Sequence, residues 1–535
     1  VIETTLQGEI SMRIAWKRPG SARRGVATAA LAVSVVLGVA TSPMPAIASA
    51  ETFFFDDVGS TAVPRANCGP GSLPETGMQG DVPAEDRNNG RSTQGYRCNM
   101  SLVGSLQDRG GGLLSVTYDH CSYTSTFFPG NLLNPTTPGV QVLDVSNPAQ
   151  PVLSTTLNEP AMLGGTWESL KVNKARKLLA ATAVPIAAGT GYFSVYDISD
   201  CAHPRLLNRG AGTDVTMPLP FISHEGGFSP DGHTYWVSGP APGFLTAIDI
   251  RNPAEPRIIW QGLHGLGGHG FGITPDGNRM YLSNLGGITV LDISAVQRGD
   301  PYPTVPQIAT YLWTDGFFNQ HSIPVTYGDN PYIFTVDETG GGGIKVFDVA
   351  DPAHAEIVQK IKLEIQLPAN TAANLRSSQG GSVFSYDPHY CVVDRPADPT
   401  ALACSWESSG IRVFDIRDLS RISEIAYYNP PAQTGKNVQL TNSPHALSSL
   451  IGVSLFNFVP LARAVFEGKT DPRVAFGPRA GMVAFGDLSA DWCFSPPEFH
   501  GNQIWTSCSD NGFMALQLDD AVYQPPANQA STYGQ

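Results

Sequence analysis

The sequence predicts an all-β chain: a seven-bladed β-propeller of four-stranded antiparallel blades, closed by an N-terminal strand. Three observations predict it. A strand-like phrase ending in Asp recurs along the 535 residues. Asp-Gly hairpin turns precede two of its copies, and the last copy has no strand after it to finish a sheet.

The phrase occurs as VQVLDVSNPAQPVLSTTL (140–157), FSVYDISDCAHPRLL (193–207), LTAIDIRNPAEPRII (245–259), ITVLDIS (288–294), IKVFDVADPAHAEIV (344–358) and IRVFDIRDLSRISEIA (411–426). Its apolar residues alternate and are rich in β-branched and aromatic types, the pattern of a half-buried strand. A polar turn, often with proline, stops that strand and a second apolar run follows. The acids Asp144, Asp197, Asp249, Asp292, Asp348 and Asp415 lie 53, 52, 43, 56 and 67 residues apart. A stranded unit of about 40–50 residues is the size of a propeller blade. FMALQL (513–518) is a degenerate seventh copy, with Gln517 in place of the acid.

Upstream of the third and fourth copies stand HEGGFSPDGHTYWVSG (224–239) and HGFGITPDGNRMYLSN (269–284). Asp231-Gly232 and Asp276-Gly277 make hairpin turns there, with glycine supplying positive φ. Each blade is then strand, hairpin, strand, loop, Asp-ended strand, turn, outer strand. After Leu518 no outer strand remains, whereas CNMSLVGSLQ (98–107) is an outer strand with no blade before it. The N-terminal strand is expected to complete the last blade, which also protects the sheet edges.

The repeated V-x-V-x-D-[VI]-[SR]-[ND]-P phrase resembles the LVIVD repeat family of secreted bacterial β-propellers, over roughly residues 98–520. That resemblance implies the propeller fold and assigns no activity, since a fold does not fix a function.

Before the propeller, residues 1–50 have the form of a secretory signal peptide. A basic stretch (Arg13, Lys17, Arg18, Arg23, Arg24) precedes the apolar run VATAALAVSVVLGVA (26–40), and AIASA (46–50) offers cleavage after Ala50. Residues 51–97 form an irregular Gly/Pro/Asn/Asp-rich lead-in, 98–520 the propeller, 430–480 an insertion before the last blade, and 521–535 a tail. The residues after Ala50 carry 28 Lys+Arg against 45 Asp+Glu, a balance of −17. That acidity argues against nucleic acid as a partner. No later run is long and apolar enough for a membrane span, so a secreted monomer is expected.

Eight cysteines with no C-x-x-C pair, behind a signal peptide, predict disulfides rather than metal ligation. Cys493 and Cys508 fall on two arms of one hairpin, and Cys391 and Cys404 flank one excursion. Cys68, Cys98, Cys121 and Cys201 are left to tie the N-terminal segment to the first two blades.

No serine-nucleophile elbow, HExxH, P-loop or EF-hand loop occurs. The feature that suggests chemistry is positional. At the start of each first strand stand Glu168 (blade two), His224 (three), His269 (four) and His321 (five). First strands line the channel of a propeller, so these four would gather at one arc of its mouth. Three imidazoles and a carboxylate suit a transition metal such as Cu or Zn. The competing reading is structural, with each histidine locking adjacent blades through backbone hydrogen bonds. His264 is a candidate accessory ligand. His120, His233, His389 and His500 are read as hairpin-turn residues on the opposite rim. Trp167, Trp260, Trp313, Tyr311, Phe317 and Phe318 either line a binding face or belong to the core.

The functional expectation is an extracellular binding or scaffold protein, with an extracellular protein, cell-wall material or a small molecule as ligand and a metal or small-ligand site at the channel mouth. The alternative is a metal-dependent extracellular enzyme, an oxidase or a lactonase/hydrolase, using the channel histidines.

Overall fold

The computed structural model describes residues 50–54, 61–127, 139–163, 165–183, 191–209, 217–219, 223–239, 243–264, 267–377, 385–434, 440–445 and 489–530. All but the last residue of the expected signal peptide (1–50) and most of the expected 430–480 insertion lie outside them. The described strands form seven antiparallel blades, six of them with their four strands in sequence order from channel to rim. The innermost strands are Ser115–Tyr118, Lys171–Asn173, Glu225–Phe228, Phe271–Ile273, Phe317–Tyr327, Cys391–Val393 and Glu498–His500.

The N-terminal strand Met100–Leu106 pairs antiparallel with Gly512–Leu518 and supplies the outer strand of blade seven. The ring therefore closes by joining the two ends of the repeat array. Two further strands extend blades at the rim. Tyr96–Cys98 adds antiparallel to Ser423–Asn429 of blade six. Ala50–Phe54 adds parallel to Gln307–Trp313 of blade four. The lead-in also holds a short helix, Ala84–Asn89.

The recurring acid of each phrase has a local task. Each accepts a hydrogen bond through Oδ1 from the amide two residues on: Asp144 from Ser146 (2.8 Å), Asp197 from Ser199 (2.9 Å), Asp249 from Arg251 (2.9 Å), Asp292 from Ser294 (2.9 Å), Asp348 from Ala350 (2.9 Å) and Asp415 from Arg417 (3.1 Å). These are Asx-turns that end the third strand and start the turn. The conformation, not chemistry, requires the aspartate. Gly232 and Gly277 take φ of 68° and 73° in the predicted hairpin turns.

Apolar side chains of facing sheets fill the spaces between blades. One cluster runs from Met100 and Val116 through Leu179, Val413 and Leu516, so blades one, two, six and seven share a core. Tyrosine hydroxyls cross between blades: Tyr123 to the Cys201 carbonyl (2.9 Å), Tyr311 to Pro352 (2.7 Å) and Tyr327 to Ile416 (2.7 Å). All eight cysteines are paired. Cys391–Cys404 and Cys493–Cys508 each join the first-strand side of a blade to its second strand. Cys121–Cys201 ties blade one to blade two. Cys68–Cys98 closes the lead-in on itself beside blade six, rather than beside the first two blades.

Candidate metal centre

The first strands of blades two to six bring their leading residues to one arc of the channel. His224, His269 and His389 are equivalent by backbone. Each donates its amide to the carbonyl of a serine near the end of the second strand: Ser238 (2.8 Å), Ser283 (2.9 Å) and Ser405 (2.9 Å). His389 therefore stands at the head of the inner strand of blade six. It is fully buried, not a rim turn residue as Asp387-Pro388 before it suggests.

Blade five departs from the pattern. A register shift between Asn319 and His321 inserts Gln320. One extra residue in a strand turns the following side chain to the other face. Gln320, not His321, consequently takes the ring position. Its carbonyl accepts from Gly270 N (2.8 Å) and its side-chain Nε2 donates to Glu168 Oε1 (2.9 Å). His321 sits one step further down the channel, with Nε2 3.2 Å from the Cys391 carbonyl. That contact to the backbone of blade six is the blade-locking role, not metal ligation. Burial pushes its pKa down to about 4, so its ring is neutral at physiological pH.

Around Glu168 the donor atoms converge. Its Oε2 lies 2.8 Å from His224 Nε2 and 3.6 Å from His269 Nε2, and its Oε1 lies 3.0 Å from His389 Nε2. Glu338, at the end of the second strand of blade five, faces the same rings: Oε1 is 3.4 Å from His389 Nε2 and Oε2 is 3.7 Å from His269 Nε2. Glu168 with His224 and His269, and Glu168 with Glu338 and His389, each hold their ligand atoms within 4.8 Å of one another. The group is thus three imidazoles and two carboxylates.

Acceptors behind the rings set their orientation. Nδ1 of His269 lies 3.2 Å from the Gln320 carbonyl and 3.5 Å from Glu225 Oε2. Nδ1 of His389 lies 3.1 Å from the Phe494 carbonyl. These acceptors assign a proton to each Nδ1 and turn each Nε2 inward, the arrangement that orients histidine ligands. Aromatic edges hold the rings from outside: Trp167 against His224 (5.1 Å), Phe318 against His269 (5.0 Å) and Phe494 against His389 (4.8 Å). Trp167 and Phe318 both carry positive φ, 42° and 62°. Such values are rare for bulky residues and cluster at functional sites.

Burial disfavours charge on His269 and His389, yet the Glu168 and Glu338 carboxylates outweigh it, with Glu225 adding to the effect at His269. The two pKa values stand at about 9 and about 10. Burial likewise opposes ionisation of Glu168, and the charges of His224 and His269 overcome it, holding the carboxyl well below its ordinary range. One pair is left over. Glu168 Oε2 and His224 Nε2 are buried and face each other, yet neither has a partner in hydrogen-bond geometry. A carboxylate oxygen and an imidazole nitrogen left 2.8 Å apart without a hydrogen bond suit a cation shared by both.

The other histidines do not join. His264 stacks on Trp260 at 5.4 Å. His120 pairs with Asp119 (3.0 Å), His233 with Asp231 (3.1 Å), and His500 stacks on Trp505 (3.9 Å). Tyr311 and Trp313 are core residues. Two further groups of ligand-type side chains are already engaged. Beside His120, the sulfurs of Cys121 and Cys201 form a disulfide. In the group of His445, Asp491 and Asp510, Asp491 accepts from the amides of Trp492, Asp510 and Asn511 and from the Asn511 side chain (2.7–3.0 Å). Its lone pairs are spent.

The LVIVD repeat family model matches residues 138–159. This chain carries an LVIVD repeat. That match covers the third and fourth strands of blade one, the same phrase that recurs in the later blades. No curated protein matches the sequence. Among solved structures, the chain is similar to a periplasmic gluconolactonase of Pseudomonas aeruginosa, at 14% identity over 56% of this chain and 80% of that one, with a TM-score of 0.41. It is similar also to putative 6-phosphogluconolactonases of Bacteroides fragilis (14%, 57% and 81%, TM-score 0.41) and Bacteroides uniformis (15%, 58% and 83%, TM-score 0.41).

Proposed function

We propose that this LVIVD-repeat propeller is a secreted, metal-dependent enzyme acting on a small molecule. Its centre is one transition metal ion held by Glu168, His224, His269 and His389, with Glu338 as a fifth donor or outer acceptor. The observation that carries the reading is the convergence of these five side chains from five blades, all buried but the half-buried His224, with Glu168 Oε2 and His224 Nε2 left without hydrogen-bond partners. The imidazole-rich set suits Cu, Zn, Fe or Ni. When bound, such an ion acts as a Lewis acid or activates a coordinated water. Glu168 supplies charge, the Gln320 and Phe494 carbonyls fix the rings, and the aromatic edges exclude water. Four disulfides support an oxidising compartment.

The enzyme reading is preferred to a scaffold because the fold has no need of the metal. Sheet ladders, disulfides and ring closure already hold the blades. Burying two carboxylates beside one another costs stability that a structural role does not repay. The test is elemental analysis of the purified protein after loading with Cu, Zn or Fe and desalting. One ion per chain is expected, and less than a tenth of that in Glu168→Gln and His269→Ala variants that keep their fold. Absence of uptake, or uptake unchanged in both variants, overturns the proposal. Binding of cell-wall material by a metal-free protein would then restore the scaffold reading.

A further inference from the structure

We propose that the channel directly beneath the histidine cluster is a binding pocket for a small vicinal diol, two hydroxyls on a short apolar body. This pocket is distinct from the metal ligands and does not depend on the ion. The first strands of blades two to six enclose a cavity of about 210 Å³. Pockets for drug-sized ligands run to roughly 300–1,000 Å³, so this one fits only a small molecule.

Its polar end is defined by Glu225 and His321. Glu225 follows His224, and His321 follows Gln320, so both stand one residue beyond the ring position and face the channel a step lower. Both are more than nine-tenths buried and line the cavity. Glu225 Oε2 and His321 Nδ1 have no hydrogen-bond partner. Nδ1 of His269 lies 3.5 Å from Glu225 Oε2 and donates to the nearer Gln320 carbonyl at 3.2 Å. Nε2 of His321 lies 3.2 Å from the Cys391 carbonyl and 3.4 Å from the Cys391 amide. The closer contact is donation to the carbonyl, which leaves Nδ1 as a bare acceptor.

The pocket therefore offers two acceptors that lack donors, a carboxylate oxygen and an imidazole nitrogen. A buried acceptor without a donor is costly, and a ligand bringing two O–H groups answers both. Charge selects against an ammonium in that role. Lys171 Nζ, also at the cavity wall, lies 3.4 Å from the other Glu225 oxygen, so the carboxylate is already balanced and a neutral donor fits better.

Phe228, Phe271, Ile273 and Ile323 also line the cavity, together with Ser322 and Tyr390. The four apolar side chains hold water poorly, because each water needs two to four polar partners. A short hydrocarbon body packs against them. Glycine in the inner strands lets the cavity wall pack closely. A Cβ at Gly272 would lie 2.4 Å from both Pro324 Cδ and the Ser322 carbonyl, so the strands of blades four and five approach each other only because it is absent.

The experiment uses 3-fluoro-1,2-propanediol at millimolar concentration as the probe, followed by fluorine NMR. The full-length purified protein is first stripped of metal by chelation. Saturable line broadening is expected for the wild type and for the exposed-site control His203→Ala. At least a tenfold loss of affinity is expected in His321→Phe, which removes the ring acceptor, and in Ile273→Trp, which fills the cavity. Two variants at different lining residues guard against failure of either to fold. The mono-alcohol 2-fluoroethanol, with one donor, should bind the wild type at least tenfold more weakly than the diol. No saturable broadening in the wild type would mean a channel filled by water only and would overturn the proposal, as would unchanged affinity in both folded variants or equal binding of the two probes. Because no metal is present, failure of metal uptake leaves this result standing on its own.

Discussion

Glu168 sits where three imidazoles meet, and its ionised state sets theirs. His269 and His389 hold protons to about pH 9 and about pH 10 in the metal-free protein. An ion entering the proposed site has to displace them, so metal affinity is expected to rise with pH. Competition titrations with a chelator at pH 6, 7 and 8 should show zinc affinity climbing by up to about tenfold per unit for each proton released. A flat profile would remove His269 and His389 from the ligand set. His500 behaves oppositely. Burial, aided by the Lys174 charge, pushes its pKa down to about 3. The folded state then keeps it neutral where the unfolded chain, with an ordinary pKa near 6.5, takes up a proton. Its contribution is complete above about pH 6.5 and is lost as pH falls toward 3, by up to about 1.4 kcal/mol per unit. Urea unfolding of His500→Gln between pH 4 and 7 should give a shallower acid limb than wild type. At this scale the sequence reveals Glu168, His224 and His269, because each opens a recognisable first strand. It hides His389 behind an Asp-Pro that imitates a turn, and Glu338 in VDETGGGG, which looks like solvent-facing hairpin.

Strands, by contrast, are legible wherever alternation and turn chemistry agree. The phrase ending in Asp marks the third strand of six blades, and the Asx-turn gives the physical reason for its recurrence. Blade five shows the limit. Its eleven-residue first strand, Phe317–Tyr327, carries a bulge that no period-two pattern announces, and the slip sends His321 down the channel. Close approach between strands is the other hidden determinant. A Cβ at Gly270 would lie 2.4 Å from Glu225 Oε2 and 2.5 Å from the Gln320 carbonyl. Gly270→Ala should therefore destabilise the protein by roughly 1–3 kcal/mol in urea unfolding. It should also displace Glu225 from His269 and weaken metal retention. A variant as stable as wild type would show that the inner strands have more slack than these distances allow.

The seven described blades form a ring, and its stability rests on one join. Met100–Leu106 completes the last blade, so a chain starting at Gly110 lacks the outer strand of blade seven and exposes the edge of Gly512–Leu518. That truncation should melt well below the full chain and aggregate, since an open array leaves a strand edge unpaired. Thermal unfolding beside light scattering decides it, and an unchanged melting temperature would refute the closure argument. Closure is readable in the sequence because a missing strand at one end matches a surplus strand at the other. The additions of Tyr96–Cys98 and Ala50–Phe54 at the rim are not, because an irregular lead-in has no periodicity to betray pairing. The same closure fixes the channel, and the channel gathers Glu168, His224, His269 and His389 from positions up to 221 residues apart in the sequence. Anomalous X-ray diffraction from crystals of zinc-loaded protein, collected at the metal edge, tests that gathering most directly. A single anomalous peak among Glu168 and the Nε2 atoms of His224, His269 and His389, about 2.0–2.2 Å from each bound donor, is the predicted result. A map with no peak there, or with zinc only at surface sites, would contradict it.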